Sequence, residues 1–151
     1  MSSGYGPELV VNGGFNSQAS GWTLAGGAIW DSTNLLVSFP TSGQPFKTIS
    51  QPVGIEPNRS YLVEYDLSLV YGVVTSSVLL GNSGKSNGGL IGTVSSVLTP
   101  TSSGYLLICV ETAGGSATID NVSVRELTST DSLSGNSSVS SSSMVSESSS
   151  V

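Results

Sequence analysis

Glycine and proline interrupt the first 127 residues so often that long helices have no room. The breaks fall at Gly13-Gly14, Gly26-Gly27, Pro40 to Pro45, Pro52 to Pro57, Asn82 to Gly89, Pro100 to Gly104 and Gly114-Gly115. Between them lie intervals of about 6 to 14 residues, rich in Val, Ile, Thr and Tyr, which suit a pleated surface better than a helix. The clearest interval is 61–71, where Tyr61, Val63, Tyr65, Leu67, Leu69 and Tyr71 alternate with Leu62, Glu64, Asp66, Ser68 and Val70. That period of two predicts a strand with the first set facing a core. Further strands are predicted over 8–12, 21–24, 28–31, 34–39, 47–53, 73–80, 90–98, 104–112 and 117–127. Short strands separated by turn residues predict an all-β, antiparallel jelly-roll β-sandwich. The loop 81–89 contains Gly84-Lys85-Ser86 but lacks phosphate-loop spacing and a following helix, so it reads as a hairpin loop.

Residue types absent from the chain exclude most chemistry. There is no His and only one Cys, Cys109, so no His-dependent catalytic unit, His-ligated metal or intrachain disulfide can form. Four Lys plus Arg against ten Asp plus Glu give a net charge of -6, a poor match for nucleic acid. Cys109, within Leu106-Leu107-Ile108-Cys109-Val110, reads as a buried small hydrophobe. No run reaches the ~20 apolar residues that span a bilayer, and no basic start with an apolar stretch marks residues 1–6. The expectation is a soluble protein made without Sec-type export, with no membrane partner.

Composition changes after Leu127. More than half of residues 128–151 are Ser, too little apolar material to offset backbone ordering at ~1–2 kcal/mol per residue. The chain is therefore divided into an N-terminal arm, 1–7, a sandwich, 8–127, and a Ser-rich, low-complexity extended tail, 128–151.

Two segments resemble a known family. Gly6-Pro7-Glu8-Leu9-Val10-Val11-Asn12-Gly13-Gly14-Phe15-Asn16 with Ser20-Gly21-Trp22-Thr23 is similar to the start of carbohydrate-binding-module jelly rolls of the galactose-binding-like type. Ala117-Thr118-Ile119-Asp120-Asn121-Val122-Ser123-Val124-Arg125-Glu126-Leu127 is similar to their last strand, and Ile49-Ser50-Gln51-Pro52-Val53 and Pro57-Asn58-Arg59-Ser60-Tyr61 to their middle. The resemblance implies a sandwich over 6–127, as found in glycan-binding modules and in tailed-phage structural proteins. It also implies a structural calcium held by Asp120 with first-loop oxygens, where Asn16 stands at the usual carboxylate position; calcium takes about six to eight oxygens. The plainer alternative has Asp120 accepting backbone N–H bonds and pinning the first loop. No other cofactor is expected.

Phe15 and Trp22 read as core anchors. Glu64 and Asp66, ~7 Å apart on one strand face, have carboxylate spacing suited to acid–base work but no apolar surroundings to raise one pKa. The reading is therefore non-enzymatic. A glycan platform would need exposed rings, for which Trp30, Tyr71 and Tyr105 are the candidates, with Asn34 and Gln44 to bond hydroxyls. The expected role is a virion structural protein of a tailed phage: a capsid decoration, cement or fibre subunit on the virion surface, assembled in the host cytoplasm. Its partners would be other copies of itself, as a trimer, and a major capsid or tail protein, with 128–151 as tether. The alternative is a freestanding carbohydrate-binding module or adhesin.

Overall fold

The computed structural model describes residues 5–128, so the tail reading for 128–151 falls almost wholly outside the described residues. Nine strands follow in order: β1 (Asn16–Ala19), β2 (Thr23–Ala25), β3 (Ile29–Asp31), β4 (Leu36–Phe39), β5 (Phe46–Pro52), β6 (Tyr61–Leu80), β7 (Ser83–Gly88), β8 (Gly92–Leu98) and β9 (Tyr105–Glu126). All registered pairs are antiparallel.

β6 and β9 fuse pairs of segments that the sequence divides at Gly72 and Gly114-Gly115. They pair with each other, with β5 and β4 on the outer flanks of β9 and β8 and β7 on those of β6. Gly81 N donates to Tyr105 O (3.2 Å) near one end, and Asn121 Nδ2 donates to Asp66 Oδ2 (2.9 Å) further along. Between these points the strands touch at Gly72 and Gly114-Gly115. A Cβ on Gly72 would lie 2.1 Å from Gly114 O, and Gly72 has φ +73°, so glycine is required there on both counts.

Both strands bend at this contact. Tyr65 and Ser76 would be ~36 Å apart on a straight strand, yet their hydroxyls meet at 2.7 Å, so the halves of β6 face each other across the core. One layer is thus β2-β5-β9-β6-β7, using the first half of β9 and the second half of β6. The other is β3-β4-β9-β6-β8, using the remaining halves.

Alternating residues fill the space between the layers. Phe39, Ile49, Tyr61, Val63, Tyr65, Leu67, Leu80, Leu106, Ile108 and Ile119 are buried. Phe15 and Trp22 join them with ring centroids 5.3 Å apart, as expected of core anchors. Leu69 and Tyr71 continue the inward row of β6 in sequence but are exposed, because the strand reaches the corner there. Cys109 is half-buried rather than core: Leu106, Ile108 and Val110 take the inward positions of β9, so parity turns Cys109 outward, opposite Thr48.

Two further expectations are corrected. Part of the hairpin loop 81–89 is strand β7, paired with the end of β6. Residues 8–12 form no strand; that segment is attached mainly through side chains, with one backbone bond beside them. Gln51 bonds both N and O of Val11 at 2.9 Å, reproducing a strand's paired bonds, and Leu9 N donates to Val124 O. Glu8 pins this segment to the last strand: its carboxylate accepts Val124 N (2.8 Å) and Ser123 Oγ (2.6 Å), and Arg125 lies 3.5 Å away.

Residues 8–125 form one compact unit, and the described residues 5–7 and 126–128 belong to a second. Within the described part of the second, Gly6 N donates to Glu126 O and Tyr5 bridges Leu127.

Candidate functional site

The outward face of the β2-β5-β9 layer follows from register. Phe46 lies opposite Glu111, Thr48 opposite Cys109, Ser50 opposite Leu107 and Pro52 opposite Tyr105. Thr23 and Ala25 extend the rows through Ser50 and Thr48. Because Ile49 and Gln51 point inward, Phe46, Thr48, Ser50 and Pro52 must point out. The rings of Phe46 and Tyr105 are 62% and 56% exposed. They stand six strand residues apart, ~20 Å, with the hydroxyls of Thr23, Thr48 and Ser50 between them. Glu111 sits beside Phe46 and accepts Ala113 N at 3.2 Å. The Cys109 thiol on this face is pushed up in pKa, first by burial and then by the Glu111 charge, and so is held protonated.

The candidate rings do not form one platform. Tyr105 lies on this face. Trp30 packs against the core and donates its indole N–H to Phe15 O at 3.0 Å, so its ring is fixed as a wall of the sandwich. Tyr71 sits at the corner; Thr41 Oγ1 donates to Gly115 O (2.7 Å), so the Tyr71 hydroxyl donates to Thr41. Asn34 is used in the β3–β4 turn, where its Nδ2 and backbone N–H both reach the Asp31 carboxylate. The backbone carbonyl of Gln44 accepts from Lys47 Nζ. Phe46 was missed by the sequence reading, although the alternation Phe46, Thr48, Ser50 against Lys47, Ile49, Gln51 carries it.

The other layer presents Glu64, Asp66 and Asp120 outward. Glu64 accepts Ser95 Oγ (2.8 Å), and Asp66 accepts Thr93 Oγ1 (2.8 Å) and Asn121 Nδ2. Asp120 is raised above the ordinary carboxylate value by partial burial and the nearby Asp66 charge, against an Asn121 N–H bond that lowers it. This is a hydrogen-bonded surface row.

Asp120 Oδ1 accepts Asn121 N (2.8 Å), and among the described residues no three His, Cys, Asp or Glu are grouped to hold a metal. The Asn16 amide nitrogen faces Gly14. The first loop meets its own carbonyls: Val122 N donates to Gly13 O, Phe15 N and Trp22 Nε1 donate to Asn12 O, and Asn12 Nδ2 reaches the carbonyls of Ser17, Gln18 and Ser20. An amide nitrogen thus sits where three carbonyl oxygens converge. The loop's positive φ values fall on Asn12, Phe15 and Gln18, not on Gly13 or Gly14. Gly13 is needed for closeness instead, since its Cβ would lie 2.0 Å from Val122 O.

No protein-family model and no curated protein matches the chain. Solved structures do. A xylan-binding family 22 module from Paenibacillus barcinonensis matches with TM-score 0.55 and 12% identity, over 85% of this chain and 99% of that one. A family 61 carbohydrate-binding module in complex with β-1,4-galactotriose matches with TM-score 0.53 and 15% identity, over 78% and 97%. An enzymatically active tailspike domain of bacteriophage CBA120 matches with TM-score 0.50 and 19% identity; this chain is covered over 79% but spans only 21% of that one. The fold is the jelly-roll sandwich shared by carbohydrate-binding modules and part of a phage tailspike.

Proposed function

We propose that this chain is a non-catalytic glycan-recognition sandwich that works on the virion surface of a tailed phage. The observation that carries the reading is the outward β5–β9 strip, with exposed rings of Phe46 and Tyr105 at its ends and hydroxyls between. Aromatic faces pack on the apolar face of a pyranose while hydroxyls and carboxylates bond its edge. The strip's length suits a chain of sugars rather than one. Support for the class of ligand comes from the xylan-binding and galactotriose-bound modules of the same fold, and for the setting from the tailspike domain. Screening the protein against a glycan panel tests it. Phe46→Ala and Tyr105→Ala should each weaken binding roughly two- to tenfold, the equivalent of ~0.5–1.5 kcal/mol per ring contact, at unchanged stability. Absence of any glycan binder, or variants that bind like the parent, would refute the strip.

A second reading, a capsid decoration, cement or fibre subunit joined to a capsid or tail protein, is favoured by the low charge, 9% of residues, which leaves few ions to desolvate on assembly. Deleting residues 128–151 and measuring particle occupancy tests the tether; unchanged occupancy removes it.

A further inference from the structure

The four sheet edges are not equally protected. β2 has three residues; β3 has three and ends in Asp31; β7 carries Lys85 and a register shift against Ser76/Ser77. Short, charged or bulged edges of this kind resist pairing with another chain. β8 has none of these defences among the described residues. Its seven residues, Gly-Thr-Val-Ser-Ser-Val-Leu, pair in unbroken register with β6 alone and contain no charge and no proline. The uncharged stretch begins earlier, at Leu90 and Ile91, which are exposed, as is Val97. Alternate N–H and C=O groups of such a strand point away from its single neighbour.

We propose that β8 pairs with β8 of a second copy, antiparallel about a two-fold axis at Ser95, joining two five-stranded layers into one continuous sheet. The sequence is self-complementary in that register. Directly opposed residues share a face, so Ser95 meets Ser95 of the second copy and Thr93 meets its Val97 on the outward side, while Val94 meets Ser96 on the inward side. Every opposed pair from Thr93 to Val97 is small or β-branched, Gly92 leaves room for Leu98, and no pair sets like charges together. The acidic row on β6 stays three strand spacings from its counterpart, ~14 Å, beyond the screening length of ~8–10 Å. The same register brings exposed Leu90 and Ile91 beside Pro100 and Thr99 of the other copy. A two-fold contact closes on itself, which ends the risk of open-ended edge pairing. This inference is independent of what the sandwich binds.

Sedimentation of the full chain should show a concentration-dependent species at twice the 15.3 kDa chain mass. Val97→Lys, an edge charge facing Thr93 of the other copy, should return it to monomer with its circular dichroism unchanged, whereas Ser86→Lys on β7 should not. A cross-strand Cα separation of ~4.5–5.5 Å lies within disulfide range. Ser95→Cys, in a Cys109→Ser background treated with oxidised glutathione, should therefore link two chains, each link releasing two reduced glutathiones. A monomer at every concentration, a trimer or open polymer, a dimer that survives Val97→Lys, or a dimer that fails to cross-link at position 95 would each overturn the proposal.

Discussion

Replacing Gly72 by Ala tests the corner at which β6 and β9 cross between layers. Two costs add. At φ +73° an L-residue pays ~1–2 kcal/mol for the left-handed region. The new Cβ also meets Gly114 O at 2.1 Å and Gly115 Cα at 2.8 Å, both backbone atoms without a rotamer to yield. Relief requires the strands to part by more than an ångström, weakening two or three ladder bonds at ~0.5–1.5 kcal/mol each. The expected total is ~3–5 kcal/mol, a large share of the ~5–15 kcal/mol typical of a domain. Gly88 supplies the control, with φ +56° and nothing within 4 Å of its virtual Cβ, so Gly88→Ala should cost only the backbone part. Urea unfolding followed through Trp22 and Trp30 fluorescence gives both values from linear extrapolation. If Gly72→Ala falls within ~1 kcal/mol of Gly88→Ala, the close approach is not what makes glycine necessary, and the account of the corner fails.

Tyr65→Phe should destabilise by ~1–3 kcal/mol in the same assay, because Ser76 and Asn87, both buried, lose the hydroxyl they share, while Ser96 keeps its bond to Asn87. Asp120 binds protons more tightly folded than unfolded, so its charge opposes folding at neutral pH and stops doing so as pH falls through its raised value; Asp120→Asn should raise the melting temperature at pH 7 and lose that gain in acid, with equal curves at both pH values refuting it. Asp31 runs the other way, held low by Asn34 and Thr33: its contribution is present above 3.8 and lost as pH falls through the lowered value, so Asp31→Asn should cost stability at pH 7 but not in strong acid. Melting temperature should be the same in calcium and in EDTA; a rise of several degrees with calcium would show that the first loop holds the ion after all.

Strand existence was largely legible because alternation and turn residues are local. The segments at 28–31, 34–39, 47–53 and 90–98 fall on β3, β4, β5 and β8 within two residues at either end. What pattern could not show is that Gly72 and Gly114-Gly115 mark bends within strands rather than ends, since that depends on two distant segments meeting. Polar residues mislead for the same reason. Lys and Gln are mostly exposed residue types, yet Lys47 and Gln51 are both buried, with Lys47 Nζ bonded to Thr112 Oγ1 (2.7 Å) and Gln44 O. β7 was hidden by its composition, Ser-Gly-Lys-Ser-Asn-Gly, which reads as loop and is held in place by β6 and by Asn87 in the buried bonds. At the candidate site, Tyr105 was visible as an aromatic, but separating a free ring from Trp30's fixed one required knowing where Phe15 O lies.

The shared corner also governs how the chain gets there. Neither layer owns its central strands, so neither can form or melt alone, and the sandwich should fold as one cooperative unit. Joining β6 to β9 closes a loop from Gly81 to Tyr105 at its shortest and a much longer one toward Tyr61, so the decisive pairing is non-local and belongs to the slow, millisecond-to-second class of β-proteins. The amides of the shared strands beside the core, such as those of Val63, Tyr65, Leu106 and Ile108, would then be among the last to exchange with solvent, and their protection would measure the stability of the whole sandwich rather than of one sheet.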